Sequence, residues 1–154
     1  MTGWINLDAA GGAGMPQPAP DAYCEDARFE DSFRRWLLGA IGEPAGSWRA
    51  GVRALCFNVH PITPGDHAVE LIGAADCDPA AADWALDEVW LPSRPRLALP
   101  GDVADGDDGV LLVRRLVRAA LADGFAGARL KRYPRIAVGH VDGALDVLWE
   151  RAPI

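Results

Sequence analysis

The residues best suited to recognition lie in one short run, ADWALDEVWLP, at positions 82 to 92. It places two tryptophans among three carboxylates. Tryptophan is a favoured anchor at protein interfaces, and carboxylates beside it select partners rich in arginine or lysine. In the alternative interpretation, both tryptophans pack in the core and the acids protect an edge strand from aggregation. We predict that this run binds a partner through the following residues: Asp83, Trp84, Asp87, Glu88 and Trp90.

A second acidic segment, PGDVADGDDG at 100–109, is predicted to be a loop because glycine and proline interrupt it. We expect Asp105, Asp107 and Asp108 to extend the partner-binding surface. Asp102 would help these aspartates to steer a basic surface into place, because clustered charge of one sign attracts its opposite over a distance.

The charge of the chain is divided unevenly along its length. The net charge is −7, but residues 66–108 carry −9 and residues 110–154 carry +4. An acidic protein is poorly suited to nucleic acid or to an anionic membrane. We therefore predict a basic protein as the partner, with no nucleic acid and no membrane, and a separate basic region elsewhere on the surface.

Two histidines flank the predicted turn PITPGD, and Asp66 lies beside the second. A zinc site built on His60 and His67 would need a third or fourth ligand. The sequence contains no phosphate-binding loop, nucleophile elbow or HExxH motif. We predict no catalytic residue, no metal ligand and no cofactor. The alternative is a small metal-dependent or His/Asp-based enzyme that uses these histidines with Asp66 or Asp76.

The length of 154 residues is enough for one domain with one core. Residues 1–20, rich in small residues, glycine and proline, are predicted to be a flexible arm, and residues 21–154 a single domain. Three cysteines without the spacing of a zinc or redox motif indicate reduced thiols. With no long apolar run and no signal peptide, we expect a cytoplasmic protein.

Hydrophobic periodicity predicts two helices, over residues 25–41 and 110–122, because apolar residues recur at helical spacing in both. Between them, alternating patterns predict three strands, in RALCFNV, in HAVELIGA and in the acidic run at 82–92. In the first of these strands, Leu55, Phe57 and Val59 should share one face.

The C-terminal segment RIAVGHVDGALDVLWE has the pattern of a hairpin with Asp142-Gly143 as a two-residue turn. That turn would pair His140 with Leu145. The predicted buried face would carry Ile136, Val138, Leu145, Val147 and Trp149. We therefore predict an α+β fold, an antiparallel sheet of about five strands with two helices packed on one face, in the order α-β-β-β-α-β-β.

Two blocks of the sequence resemble a known family. DWALDEVW, within the acidic run, is similar to a D-W-A-x-D-E-V-F block, and YPRIAVGHVDGALDVLW to a block V-G-F-V-D-G-D-L-x-x-L. Both are typical of small immunity proteins of bacterial polymorphic toxin systems, including contact-dependent growth inhibition. The resemblance covers about residues 50–150. Three positions depart from the pattern: Trp90 replaces Phe, His140 replaces an aromatic residue and Ala144 replaces an acid.

The resemblance implies a cytosolic protein, not an enzyme, that binds and neutralises the C-terminal domain of one cognate toxin. Toxins of these systems are often nucleases and hence basic, which agrees with the acidic segments of this chain. A third hypothesis is self-association, in which the acidic face of one copy meets Arg114, Arg115 and Arg118 of another.

Overall fold

The computed structural model describes residues 20–42, 51–75, 88–141, 143 and 145–152. In this part of the chain the fold is α+β, as predicted, with three helices and one six-stranded sheet. The predicted flexible arm lies outside the described residues, except for its last residue, which begins the first helix.

The helices are α1 (Pro20–Ile41), α2 (Gly106–Ala122) and α3 (Gly124–Leu130). The strands are β1 (Ala54–Thr63), β2 (Asp66–Ala74), β3 (Glu88–Trp90), β4 (Arg96–Ala98), β5 (Arg135–His140) and β6 (Leu145–Glu150). The predicted order lacked β4 and α3. Both are short, and prolines on either side of β4 suggested that no strand lay there.

The sheet has the order β3-β2-β1-β5-β6, and β4 also pairs with β2. Both β3 and β4 lie along the edge of β2 that faces away from β1, β3 beside Gly73 and Ala74 and β4 beside Ala68 to Glu70. The turn between β1 and β2 contains Gly65, whose φ is 89°, a conformation that glycine adopts without strain.

The prediction of an antiparallel sheet is wrong at its centre, where β1 and β5 run parallel. The path of the chain explains this. Beyond β4, the amide of Leu99 donates to the carbonyl of His67 at 2.9 Å, so β4 ends beside the β1–β2 turn. The helices α2 and α3 then lead back along the sheet, and β5 starts with Arg135 beside Ala54, the first residue of β1. The periodicity of single strands carries no information about this direction.

The core lies between the sheet and the helices. Phe33 and Leu37 of α1 and Val113 of α2 pack with Phe57 of β1, and all four are at most 2% exposed. The rings of Phe33 and Phe57 lie 6.3 Å apart, a separation typical of packed aromatic pairs. The predicted apolar stripes of both helices and the inward face of β1 are thus confirmed.

The predicted register of the C-terminal hairpin is wrong. Leu145 pairs with Gly139 instead of His140, because the amide of Val141 bonds the carbonyl of Val59 at 3.2 Å and so extends the contact of β5 with β1. An irregularity beside Ile136 then shifts the rest of β6. As a result, Ile136, Val138 and Trp149 contact the core beneath the helices. Leu145 and Val147 instead belong to a smaller cluster with Cys56 and Ile72, on the other face.

None of the helices in the described part of the chain combines the length and apolar character that crossing a bilayer requires.

Candidate partner-binding site

One end of the sheet collects five of the described aspartates, and we call it the acidic end. It consists of the β1–β2 turn, the loop after β4, the N-terminus of α2 and the start of the β5–β6 turn. Its carboxylates are all exposed: Asp66, Asp102, Asp105, Asp107 and Asp108. Two backbone hydrogen bonds near the β1–β2 turn hold these elements together. The amide of Leu99 donates to the carbonyl of His67, and the amide of Val141 donates to the carbonyl of Val59.

The first turn of α2 is held by its own aspartates. Asp105 is the N-cap, and its side chain accepts a hydrogen bond from the amide of Asp108 at 2.9 Å. Such a cap satisfies one of the amides that a helix N-terminus leaves without a partner. Asp107 lies 3.0 Å from Nε2 of His140, and its side chain is 90% exposed. Its carboxylate therefore remains open to a further partner.

His140 packs against the start of α2 because the residue beneath it is glycine. A Cβ atom added to Gly106 would stand 2.1 Å from Cε1 of His140. The absence of a side chain thus lets the hairpin turn approach the helix, where the imidazole reaches Asp107. The imidazole thus makes a polar contact that an aromatic hydrocarbon ring could not make at this position.

A depression of about 290 Å³ lies beside this helix turn. Two exposed carboxylates, those of Asp102 and Asp108, line it together with the apolar side chains of Phe29, Val103 and Leu112. An arginine or lysine has an apolar stem and a cationic end. The depression offers a surface of matching character for both parts.

Arg115 also lines the depression, but its guanidinium is held by Glu30 of α1 at 3.0 Å. This ion pair spans α1 and α2, whereas no ion pair engages Asp102 or Asp108 within the described part of the chain. A cationic side chain entering there would meet their carboxylates directly.

The predicted binding residues other than Trp90 separate into three groups. Asp105, Asp107 and Asp108 come together at the acidic end. Glu88 is exposed but pairs with Ala74 at the opposite end of β2, a strand that spans about 25 Å. The third group, Asp83, Trp84 and Asp87, lies outside the described residues.

Trp90 faces the core instead of solvent. It pairs with Gly73 and is 8% exposed, within the cluster that contains Val52. A Cβ atom on Gly73 would stand 3.0 Å from Cε3 of Trp90, so the glycine makes room for the indole. For Trp90, the structure therefore agrees with the alternative interpretation of the acidic run, in which this tryptophan packs in the core.

Sequence reasoning missed the apolar lining of the depression. Phe29 was assigned to the core stripe of the first helix, and Leu112 received no role. Both are half-buried at the margins of their stripes. Their partial exposure follows from where α1 crosses α2, which periodicity alone does not specify.

The two histidines of the metal hypothesis do not face each other. His60 pairs with Ala68 and His67 with Pro61, so the histidines occupy adjacent positions of the ladder and point to opposite faces. Among the described residues, no three His, Cys, Asp or Glu side chains are grouped closely enough to hold a metal ion.

The other end of the sheet, which we call the basic end, carries five cationic residues among the described part of the chain, together with the acids Glu88 and Glu150. Arg135 binds Glu150 through Nη2 at 2.6 Å. Arg151 donates from Nη2 to the carbonyls of Lys131 and Arg132 at 3.1 and 2.9 Å, directly after α3. The remaining cation is Arg53, which lines a pocket of about 330 Å³ with Arg135 and Arg151.

The arginines of the self-association hypothesis are partly engaged within the chain. Arg114 lies 2.7 Å from Asp146 of β6, and Arg115 is bound to Glu30. Arg118 is exposed. The helix therefore offers a second copy fewer open cations than its sequence suggests.

Comparison with known proteins finds no family model, no curated protein and no solved structure that matches this chain.

Proposed function

We propose that this protein binds a basic protein partner through its acidic end and serves as the immunity protein of a bacterial toxin system. The observation that carries the proposal is the depression lined by Asp102 and Asp108, with its apolar lining from Phe29 and Leu112. The cation in its described lining, Arg115, is already held in an ion pair with α1. The depression therefore matches a basic side chain in both charge and polarity. The toxin as partner, and the cytosol as location, are supported by the resemblance of the two sequence blocks.

Binding would begin with long-range attraction. The exposed aspartates of the acidic end create a negative field that raises the rate of encounter with a basic surface. An arginine or lysine of the partner would then enter the depression, with its stem on Phe29 and Leu112 and its cation between the carboxylates. An immunity protein bound in this way would block its toxin by covering a basic surface of the toxin that the toxin's activity requires.

The first experiment identifies the partner. The tagged protein is recovered from its own cells through a moderate-salt wash, and bound proteins are identified by mass spectrometry. We expect one stoichiometric partner with a basic C-terminal domain. Recovery of a bound metal or small molecule in place of a protein would overturn the proposal and favour the enzyme hypothesis.

The second experiment compares two charge reversals of equal size. Asp102→Lys should weaken binding of the purified partner about 100-fold, because it places a cation where a cation must enter. Glu88→Lys, at the basic end of β2, should change the dissociation constant less than about threefold. Asp105 is avoided because it caps α2. Equal effects of the two reversals would show that the acidic end is not the binding site.

The salt dependence of the association rate provides a further measure of the same site. The rate should fall steeply as salt rises for the wild type, since screening shortens the reach of surface charge. For Asp102→Lys the slope should be shallower. A rate that is independent of salt in the wild type would contradict the steering role of the aspartates.

A further inference from the structure

The strand β4 has one backbone edge without a neighbouring strand in the described part of the chain. The carbonyl of Pro95 accepts from the amide of Leu71, and the amide of Leu99 donates to His67, so odd-numbered positions face β2. In an antiparallel ladder, alternate residues point their amides and carbonyls the other way. The backbone groups of Arg96 and Ala98 therefore face outward.

A groove runs beside this outward edge. It encloses about 610 Å³, and its described lining comprises residues 94–98 and one face of α1, formed by Ser32, Arg35 and Trp36. Trp36 already uses the edge, because its Nε1 donates to the carbonyl of Arg94 at 2.7 Å. The next outward-facing positions along the strand are Arg96 and Ala98. Their backbone carbonyls and amides are directed toward an incoming chain in the same way.

The groove is positively charged. Its described lining contains three exposed arginines, Arg35, Arg94 and Arg96, and no carboxylate. Arg96 contacts Glu70 at 3.1 Å but keeps 64% of its side chain exposed. It extends on the sheet face that carries Glu70, whereas Arg35 comes from the helix on the other face. Successive side chains of an added strand would thus meet an arginine on either face.

We propose that this groove takes an extended acidic segment of a protein partner, which pairs with β4 as an additional strand. Backbone hydrogen bonds to Arg96 and Ala98 would supply affinity, and the arginine on each face would select glutamate or aspartate among the side chains that point to that face. Proline before β4 and the short length of the strand limit indiscriminate pairing at this edge. The site goes beyond the proposed function, because its charge is opposite to that of the acidic end.

The test uses a fluorescein-labelled peptide of alternating Glu and Val, with an alternating Lys and Val peptide as its control. We expect fluorescence polarisation to show saturable binding of the acidic peptide only. Arg35→Glu should weaken that binding at least about tenfold. Arg118→Glu makes the same charge change on α2, outside the groove lining, and should leave binding unchanged.

Ala98→Pro separates strand addition from simple charge attraction. It removes the outward amide but no hydrogen bond to β2, and proline is tolerated at strand edges. The far-ultraviolet circular dichroism should match that of the wild type, and peptide binding should fall at least about tenfold. Unchanged binding by a folded Ala98→Pro protein would overturn strand addition.

Hydrogen exchange supplies a readout that does not depend on a variant. The amides of Arg96 and Ala98 should exchange more slowly when the acidic peptide is bound, and peptide that leaves both rates unchanged would contradict the proposal.

Sedimentation of the protein alone tests a different occupant. A dimer that Ala98→Pro dissociates would assign the groove to a second copy and overturn the partner segment. These outcomes are independent of Asp102→Lys, which tests the acidic end.

Discussion

The two ends of the sheet carry opposite charge and use it in different ways. At the basic end, Arg135 is bound to Glu150, and Arg151 closes over the carbonyls of Lys131 and Arg132. At the acidic end, the carboxylates are exposed, and their contacts within the described residues are a helix cap, a turn and one histidine. At the basic end, the charged groups of Arg135 and Arg151 are thus engaged in holding the fold.

The comparison teaches that the amount of charge does not identify a binding surface. Two arginines of the basic end, Arg135 and Arg151, have partners that neutralise the charge or use the donors, so a ligand would have to displace those partners first. The aspartates of the acidic end face water and, beside the depression, an apolar surface. A partner can therefore bind there without breaking structure. Substitutions at the two ends should accordingly differ in what they disturb.

The largest expected difference concerns two glycines. In Gly127→Ala, the new Cβ would stand 2.3 Å from the backbone carbonyl oxygen of Leu121, which cannot move without distorting α2. We expect a loss of about 1–3 kcal/mol in the free energy of unfolding. In Gly106→Ala the obstacle is the ring of His140, which can rotate away, so the loss should stay below about 1 kcal/mol.

Urea denaturation of both variants measures this contrast. Gly106→Ala should also release Asp107 from His140. Equal losses for the two glycines would show that the acidic end is as rigidly built as the region where α3 meets α2.

An intermediate effect on the free energy of unfolding is expected from removing one charge at each end of the sheet. Arg151→Ala leaves the carbonyls of Lys131 and Arg132 without their donor and should cost about 1 kcal/mol, since the group is exposed and water replaces part of the interaction. Asp102→Asn should lie within about 0.5 kcal/mol of the wild type. Thermal unfolding measured by circular dichroism distinguishes them. A larger loss for Asp102→Asn would mean that the acidic end depends on its charge for folding.

The smallest effect concerns Asp123, an aspartate that is tied in place where α2 meets α3. Its hydrogen bond to Arg34 lowers its pKa, with a further contribution from the amide of Phe125. A lowered pKa in the folded state stabilises the fold above the ordinary value of 3.8, and this stabilisation is lost as the pH falls through the folded value.

Asp123→Asn keeps the capping oxygen and removes only the charge. The wild type should therefore melt at a slightly higher temperature at neutral pH, and the gap should close in acid. A gap that persists at a pH well below 3.8 would assign the effect to something other than this ionisation.

Much of the fold was predictable because it is local. The apolar stripe of α1 and the alternation of Leu55, Phe57 and Val59 identify the core from spacing alone. The hairpin register was not predictable, although Asp142-Gly143 is a strong turn signal. It depends on the hydrogen bond from the amide of Val141 to the carbonyl of Val59 and on the packing of His140 against Gly106. Both are contacts between distant parts of the chain.

The candidate site was predictable only in part, for the same reason. The aspartates of the loop after β4 and of the first turn of α2 are neighbours in sequence, so their clustering was visible. Glu88 was grouped with them because it too is acidic, and the length of β2 places it at the other end. Phe29 joins the site from a helix about seventy residues earlier in the chain.

By itself, the sequence determined which residues are apolar at helical or strand spacing, and where charge is concentrated. These properties depend on near neighbours and on the free energy of burying apolar surface. Only the tertiary structure decided that β5 runs parallel to β1, that Trp90 fills the space above Gly73, and that the clustered aspartates lie at the end of the sheet opposite to Arg135 and Arg151. Those outcomes follow from how whole elements pack against one another, and packing is a property of the assembled chain rather than of any segment in it.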